Sequence, residues 1–168
     1  MKISASLYSN KDKSLEELVS ELDALKIDSF HIDCNDNPAV FDDIARIRQL
    51  SRTPIDLHII SPRPEKYLQQ IVDYQVEYVQ FQYEDMQGRQ IILPDNGTTY
   101  GLAVVSDTPL EVFEPYRESF DFILMMTTTP GMSGGVFRKE NFNRIRRFSK
   151  LFPGKKIHVD GGVNDEVS

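Results

Sequence analysis

The sequence predicts an α/β fold of (β/α)8 barrel type that ends after a seventh strand, on three observations. Short apolar, β-rich runs alternate with amphipathic stretches along the chain, and that alternation requires parallel strands joined by helical crossovers. No Gly-rich dinucleotide-binding turn follows the first strand, where an open doubly wound sheet, the competing architecture, often carries one. The 168 residues fall short of the ~250 usual for eight full units. The expectation is a single barrel domain over residues 1–168 without its eighth strand and last helices.

The elements read off in order. Lys2–Leu7 is a strand and Leu15–Leu25 a helix, with Ser14 and Glu17 forming a capping box at its start. Ser29–Cys34 is the second strand, followed by a helix over Ala39–Leu50 with Pro38 at its first turn. Pro54–Ile60 is the third strand, and Pro64 opens a helix to Tyr74. Glu77–Tyr83 and Gly101–Val105 are strands on either side of an irregular stretch, where Gly88, Pro94, Asn96 and Gly97 permit a short helix and a loop. A short helix over Pro109–Tyr116, strand Phe120–Met126, basic helix Lys139–Leu151 and strand Lys156–Asp160 complete the set.

Composition narrows the function. Hydrophobic residues make up 40% of the chain, enough for a core, and 26 acidic against 19 basic residues give a net charge of −7. That sign disfavours nucleic acid or an anionic membrane as a partner, so any anionic ligand must be held by local features. Cys34 is the one cysteine, which excludes an internal disulfide. MKISASLYSN lacks the apolar run of a signal peptide or membrane span, so a cytoplasmic protein is expected.

Each of the three histidines lies in a predicted strand with an aspartate two positions away: His31 with Asp33, Asp56 with His58, and His158 with Asp160. Residues two apart on a strand share a face. One such pair is accounted for by mutual hydrogen bonding. Three in one barrel are costly unless something compensates, and a cation does so most directly. Near the carboxyl ends of barrel strands these groups converge, and His and Asp suit zinc, iron, manganese or cobalt.

A second constellation is rich in glycine: Thr127–Gly135 (TTTPGMSGG) after one strand, and Gly161 with Gly162 after the next. Either could be an ordinary turn. At consecutive strand ends together they point to a phosphate held by backbone N–H groups. Asp42, Asp43, Glu16 and Glu17 fit early helical turns as solvated acids, and Arg144, Arg146, Arg147 and Lys150 fit an exposed helix side. Cys34 points away from Asp33 and is expected to be buried packing.

With KISASLYS, FHIDCND, PIDLHII, YVQFQYE, FILMMTTTPGMSGGVF and IHVDGGVN in this order, the chain resembles the ribulose-phosphate 3-epimerase family over essentially its whole length. The resemblance implies one divalent metal ion (Zn, Fe, Mn or Co) held by His31, Asp33, His58 and Asp160, with Asp33 and Asp160 also the paired acid and base. It places Ser6 near the substrate, Met126 beside the metal site, and Gly131, Gly134, Gly161 and Gly162 in the phosphate-side loops. The sequence departs from the pattern at Asn35 and Ile60, where methionines are usual, at Asn37 for glycine, at Gln82 for histidine, and at Ser133 and Gly135 in the glycine loop.

The reaction so implied is inversion at C3 of a phosphorylated ketose, D-ribulose 5-phosphate to D-xylulose 5-phosphate, in the pentose phosphate pathway, by a homo-oligomeric isomerase. Two carboxylates on opposite faces of a planar enediolate would remove and return the proton. The altered positions Asn35, Ile60 and Gln82 keep a six-carbon substrate such as D-allulose 6-phosphate in view, and the changed glycine loop a non-catalytic phosphate-binding relative.

Overall fold

The computed structural model describes residues 4–6, 13–105, 107–126 and 139–160, with side chains over 13–105, 107–126 and 143–158. Seven strands, β1 (Ser4–Ser6), β2 (Ser29–Asn35), β3 (Ile55–Ile60), β4 (Tyr78–Gln82), β5 (Thr99–Val104), β6 (Phe122–Met126) and β7 (Lys156–Asp160), form one sheet in sequential order. Every adjacent pair is parallel. A doubly wound sheet reverses its strand order at a switch point. Here each strand lies beside its predecessor in sequence, so the barrel-type winding is the one adopted.

The sheet also curls. Tyr78 on β4 and His158 on β7 bring their rings to 6.4 Å. Three strand steps in a flat sheet would separate the two by ~14 Å, so their inner faces have turned toward each other, as barrel curvature requires.

Helices cover the outer face: α1 (Leu15–Ala24), α2 (Val40–Leu50), α3 (Leu68–Asp73), α4 (Tyr83–Met86) and α5 (Lys139–Leu151). The Ser14 hydroxyl accepts from the Glu17 N–H at 3.2 Å, satisfying a helix-start donor as the sequence suggests. Val40, Ile44 and Ile47 lie on one side of α2 and are buried, as helical periodicity demands. Two expected helices are tighter or shorter. Pro64–Tyr67 and Leu110–Tyr116 are 3-10 turns, the second with Pro115 inside it, where no N–H is available for an α-helical bond. After β4 a single turn of helix ends at Gln87 with φ 55°, and an irregular stretch leads to β5, which begins at Thr99 rather than Gly101.

Strand alternation divides the interior into two environments. Phe30, Ile32, Cys34, Ile55, Leu57, Ile59, Val79 and Phe81 face the helices in the main apolar cluster, and Cys34 is fully buried there, the packing role expected of it. The opposite face is apolar only in part: Ala103, Phe122 and Leu124 form a small separate cluster on β5 and β6. On β2 to β4 that face carries His31, Asp33, Asp56, His58, Gln80 and Gln82 instead.

Gly101 sits where the two halves meet. A Cβ at this position would lie 2.3 Å from the Phe122 ring, and that ring is backed by His158, stacked at 4.1 Å. With no room to retreat, Gly101→Ala is expected to destabilise by about 2 kcal/mol through overpacking. Urea unfolding would read this, and unchanged stability would mean that the ring moves aside freely.

Candidate metal centre

Register, more than sequence proximity, assembles the site. The pairing of β2 with β3 sets Asp33 beside His58 and His31 beside Asp56, producing a checkerboard of imidazole and carboxylate on the inner face. His31 Nε2 lies 2.9 Å from Asp33 Oδ1, and His58 Nδ1 lies 3.3 Å from the same oxygen. One ligand atom each from His31, Asp33 and His58 falls within 4.8 Å of the others. Three such groups on two paired strands could hold a metal ion. The set fits on its own chemistry: two imidazole nitrogens and one carboxylate oxygen, with both imidazoles buried, suit zinc, iron, manganese or cobalt.

The remaining ring nitrogens are also engaged. His31 Nδ1–H donates to Asp56 Oδ2 at 3.1 Å, and His58 Nε2–H donates to Gln82 Oε1 at 2.6 Å. Outer acceptors of this kind orient histidines in metal sites, and the inner nitrogen of each ring faces Asp33 Oδ1. Of these two residues, Asp56 was legible only as facing the right way. Gln82, read from sequence as an altered pocket wall, is 5% exposed and bonds His58.

Electrostatics match a cation site. Burial alone would lower the His31 pKa, but hydrogen bonds and charge from Asp33 and Asp56 outweigh it and hold the value well above that of an ordinary histidine. Burial raises the Asp33 carboxyl, yet bonds and charge from His31 and His58 bring it far below the usual carboxylate range. A depressed carboxyl contributes stability above its unfolded value near ~4 and loses it as pH falls through the folded one. A raised histidine contributes fully below its unfolded value near ~6.5 and loses it as pH rises through the folded one. Chelator-treated protein is therefore expected to have its highest Tm between about pH 4 and 6.5, and a lower one at about pH 9. A Tm that climbs over the alkaline range would contradict this balance.

At the mouth, Asp36 adopts a left-handed φ of 55° and accepts from Ser61 Oγ at 2.8 Å and Tyr67 Oη at 2.9 Å. Lys66, then Ser61 and Tyr67, pull its carboxyl down to about 2. This clasp ties the loop after β2 to the segment after β3, next to the proposed ligands.

Other expected site residues are placed less fully. Met126 is half-buried at the carboxyl end of β6 and pairs with Asp160 on β7. Ser6 pairs with His31. The side chains of Ser6 and Asp160 lie outside the described residues, as do Gly131, Gly134, Gly161 and Gly162 entirely. His158 shares the inner face but stacks on Phe122 and, among the described residues, does not join the cluster. Arg144, read as exposed, is half-buried and donates to the Thr108 carbonyl at 2.8 Å, because α5 packs over the loop after β5.

Residues 2–168 match the sequence family described as the ribulose-phosphate 3 epimerase family. The chain belongs to that family. It is 27% identical over 175 residues to the ribulose-phosphate 3-epimerase of Schizosaccharomyces pombe, covering 97% of this chain and 77% of the relative. The corresponding Bacillus subtilis protein is 24% identical over 189 residues, covering 100% and 84%. Among solved structures, the tryptophan synthase A-subunit of Pyrococcus furiosus superposes with a TM-score of 0.60 at 17% identity, over 96% of this chain and 78% of the other. MenC from Desulfotalea psychrophila gives 0.55 at 10% identity, over 99% and 48%. At such identities these likenesses speak to the fold alone, and membership in the epimerase family rests on the sequence matches.

Proposed function

We propose that this chain is an epimerase that inverts C3 of a ketose phosphate, with D-ribulose 5-phosphate and D-xylulose 5-phosphate as the interconverted pair. Family membership supports the reaction class. The observation that carries it to these residues is the convergence of His31, Asp33 and His58, each imidazole held by an outward acceptor. Asp160 is proposed as the fourth member of the set.

In this reading Asp33 and Asp160 address opposite faces of the substrate, one removing the C3 proton and the other returning a proton to the far side. Which acts as base follows from the configuration at C3. Asp33, kept ionised by its two histidines, can accept a proton only against that stabilisation, which limits idle protonation from solvent. His31, Asp33, His58 and Asp160 would hold a divalent ion, which when bound would supply electrostatic stabilisation of the negative charge of the enediolate. Met126, Ser6 and the glycines 131, 134, 161 and 162 are proposed to line the substrate and its phosphate.

Proton-exchange NMR on D-ribulose 5-phosphate in heavy water, with zinc, iron, manganese and cobalt each added, tests the proposal. Loss of the C3 proton signal with formation of the epimer is expected, and no exchange with any of the four ions would defeat it. A six-carbon substrate such as D-allulose 6-phosphate is a second reading. It is supported by Asn35 and Ile60, which pair in register at the ends of β2 and β3 where methionines are usual. Relative turnover on the two sugar phosphates decides between them.

A further inference from the structure

We infer that Asp36 is a positioning residue for the substrate. Through Ser61 and Tyr67 it locks Asn35 and Ile60 into a fixed wall at the mouth of the site, and that wall sets which sugar phosphate is accepted. The consequence for substrate choice rests on the function proposed above. The lock itself does not.

Parity along the strands supplies the first step. Asn35 is two residues beyond Asp33 on β2, and Ile60 two beyond His58 on β3, so both face inward with the proposed ligands, one layer nearer the mouth. They are register partners and the last pair of the β2–β3 ladder. Asn35 is exposed and Ile60 half-buried. A molecule entering at the carboxyl ends of these two strands meets this pair before it meets Asp33 and His58.

Beyond that pair the ladder stops and side chains take over. Asp36 turns out of the strand with φ 55°, a conformation that Asp and Asn tolerate better than most residues. Its Oδ1 accepts from Ser61 Oγ at 2.8 Å and Tyr67 Oη at 2.9 Å, and Lys66 Nζ lies 2.6 Å from the same oxygen. The two strands are thus tied together one residue past the wall. The tie is made on the helix side, where Tyr67 joins Cys34 and Ile59 in the main apolar cluster, so it braces the wall from behind and leaves the inner face to the substrate.

The two hydroxyls carry this lock. Ser61 is 2% exposed and Tyr67 1%, and a buried hydroxyl that loses its acceptor is not compensated by water. Tyr67 is itself held by Phe41 of α2, stacked at 6.0 Å. The Lys66 pair is exposed on both sides and adds little. A wall that cannot give discriminates between sugars differing by one carbon, and a wall that yields accepts both.

The test substitutes the far side of the lock and reads the near side. Ser61→Ala with Tyr67→Phe in the full chain removes both hydroxyls and leaves Asn35, Asp36 and Ile60 unaltered. Amide hydrogen exchange is expected to quicken about tenfold over residues 35–38, while residues 30–33 within β2 keep the native rate. Unchanged exchange at 35–38, or a rise along all of β2, overturns the lock. Turnover is read on D-ribulose 5-phosphate and D-allulose 6-phosphate with cobalt(II) added. The same variant is expected to raise KM about tenfold with kcat altered by less than about twofold, and to bring the two kcat/KM values about tenfold closer together. Asp36→Asn, which keeps an accepting oxygen and the tolerance for left-handed backbone, should retain native KM and native exchange. A fall in kcat at native KM, or an unaltered ratio of the two sugars, overturns the role in substrate choice. Should the native chain turn over neither sugar, the function proposed above fails and that role with it, while the exchange result still decides the lock.

Discussion

Replacing Asp33 by asparagine is expected to reduce C3-proton exchange on D-ribulose 5-phosphate by about 10³-fold or more. Loss of a positioned acid/base group alone accounts for ~10²–10⁴. The substitution would also present a neutral amide to His31 and His58, which now share Asp33 Oδ1 at 2.9 and 3.3 Å. The expected signature is therefore double, with turnover lost and bound metal, measured by elemental analysis, reduced together. Asp160→Asn should lose turnover to a similar degree. Native exchange in either variant would sink the paired-aspartate assignment, and native metal content in Asp33→Asn would remove Asp33 from the ligand set while leaving its proton-transfer role open.

His31→Leu is expected to have the largest effect on stability. His31 is buried and bridges two carboxylates, Asp33 at 2.9 Å and Asp56 at 3.1 Å. Removing one partner from a buried ionic cluster costs ~3–5 kcal/mol because the survivors stay desolvated. Asp33 keeps about a third of its side-chain surface in solvent, so a value near ~3 kcal/mol is appropriate. For a chain of this size that corresponds to a fall in Tm of ~6–12 °C, together with loss of metal. If Tm were unchanged, the two aspartates would have to be neutral or solvated in the native fold. The Asp56→Asn/His31→Leu pair separates the cases, since removing the second charge should restore part of the lost stability.

Much of this architecture was legible in the residues. Alternating apolar runs and amphipathic stretches predict the parallel winding, and the strand bounds agree to within one or two residues at β2, β3, β4, β5, β6 and β7. Period-two alternation also puts His31, Asp33, Asp56 and His58 on one face without any coordinates. The helical segments were less legible. Pro64 and Pro115 favour tight turns in stretches whose apolar spacing also fits an α-helix, because a 3-10 turn and an α-helical turn present nearly the same sequence pattern over a few residues.

The order of residues along the chain sets the chemistry on offer: which side chains face inward on each strand, and that imidazole and carboxylate are concentrated on neighbouring ones. Folding settles which of them meet. Strand register sets Asp33 beside His58 and His31 beside Asp56, and brings Gln82 from β4 to His58. Register is a property of two segments together, fixed by packing and backbone hydrogen bonds between them, and alternation within one segment leaves it open. For that reason Gln82 reads in sequence as a departure at the pocket wall, and in the folded chain as the residue that holds His58 from β4.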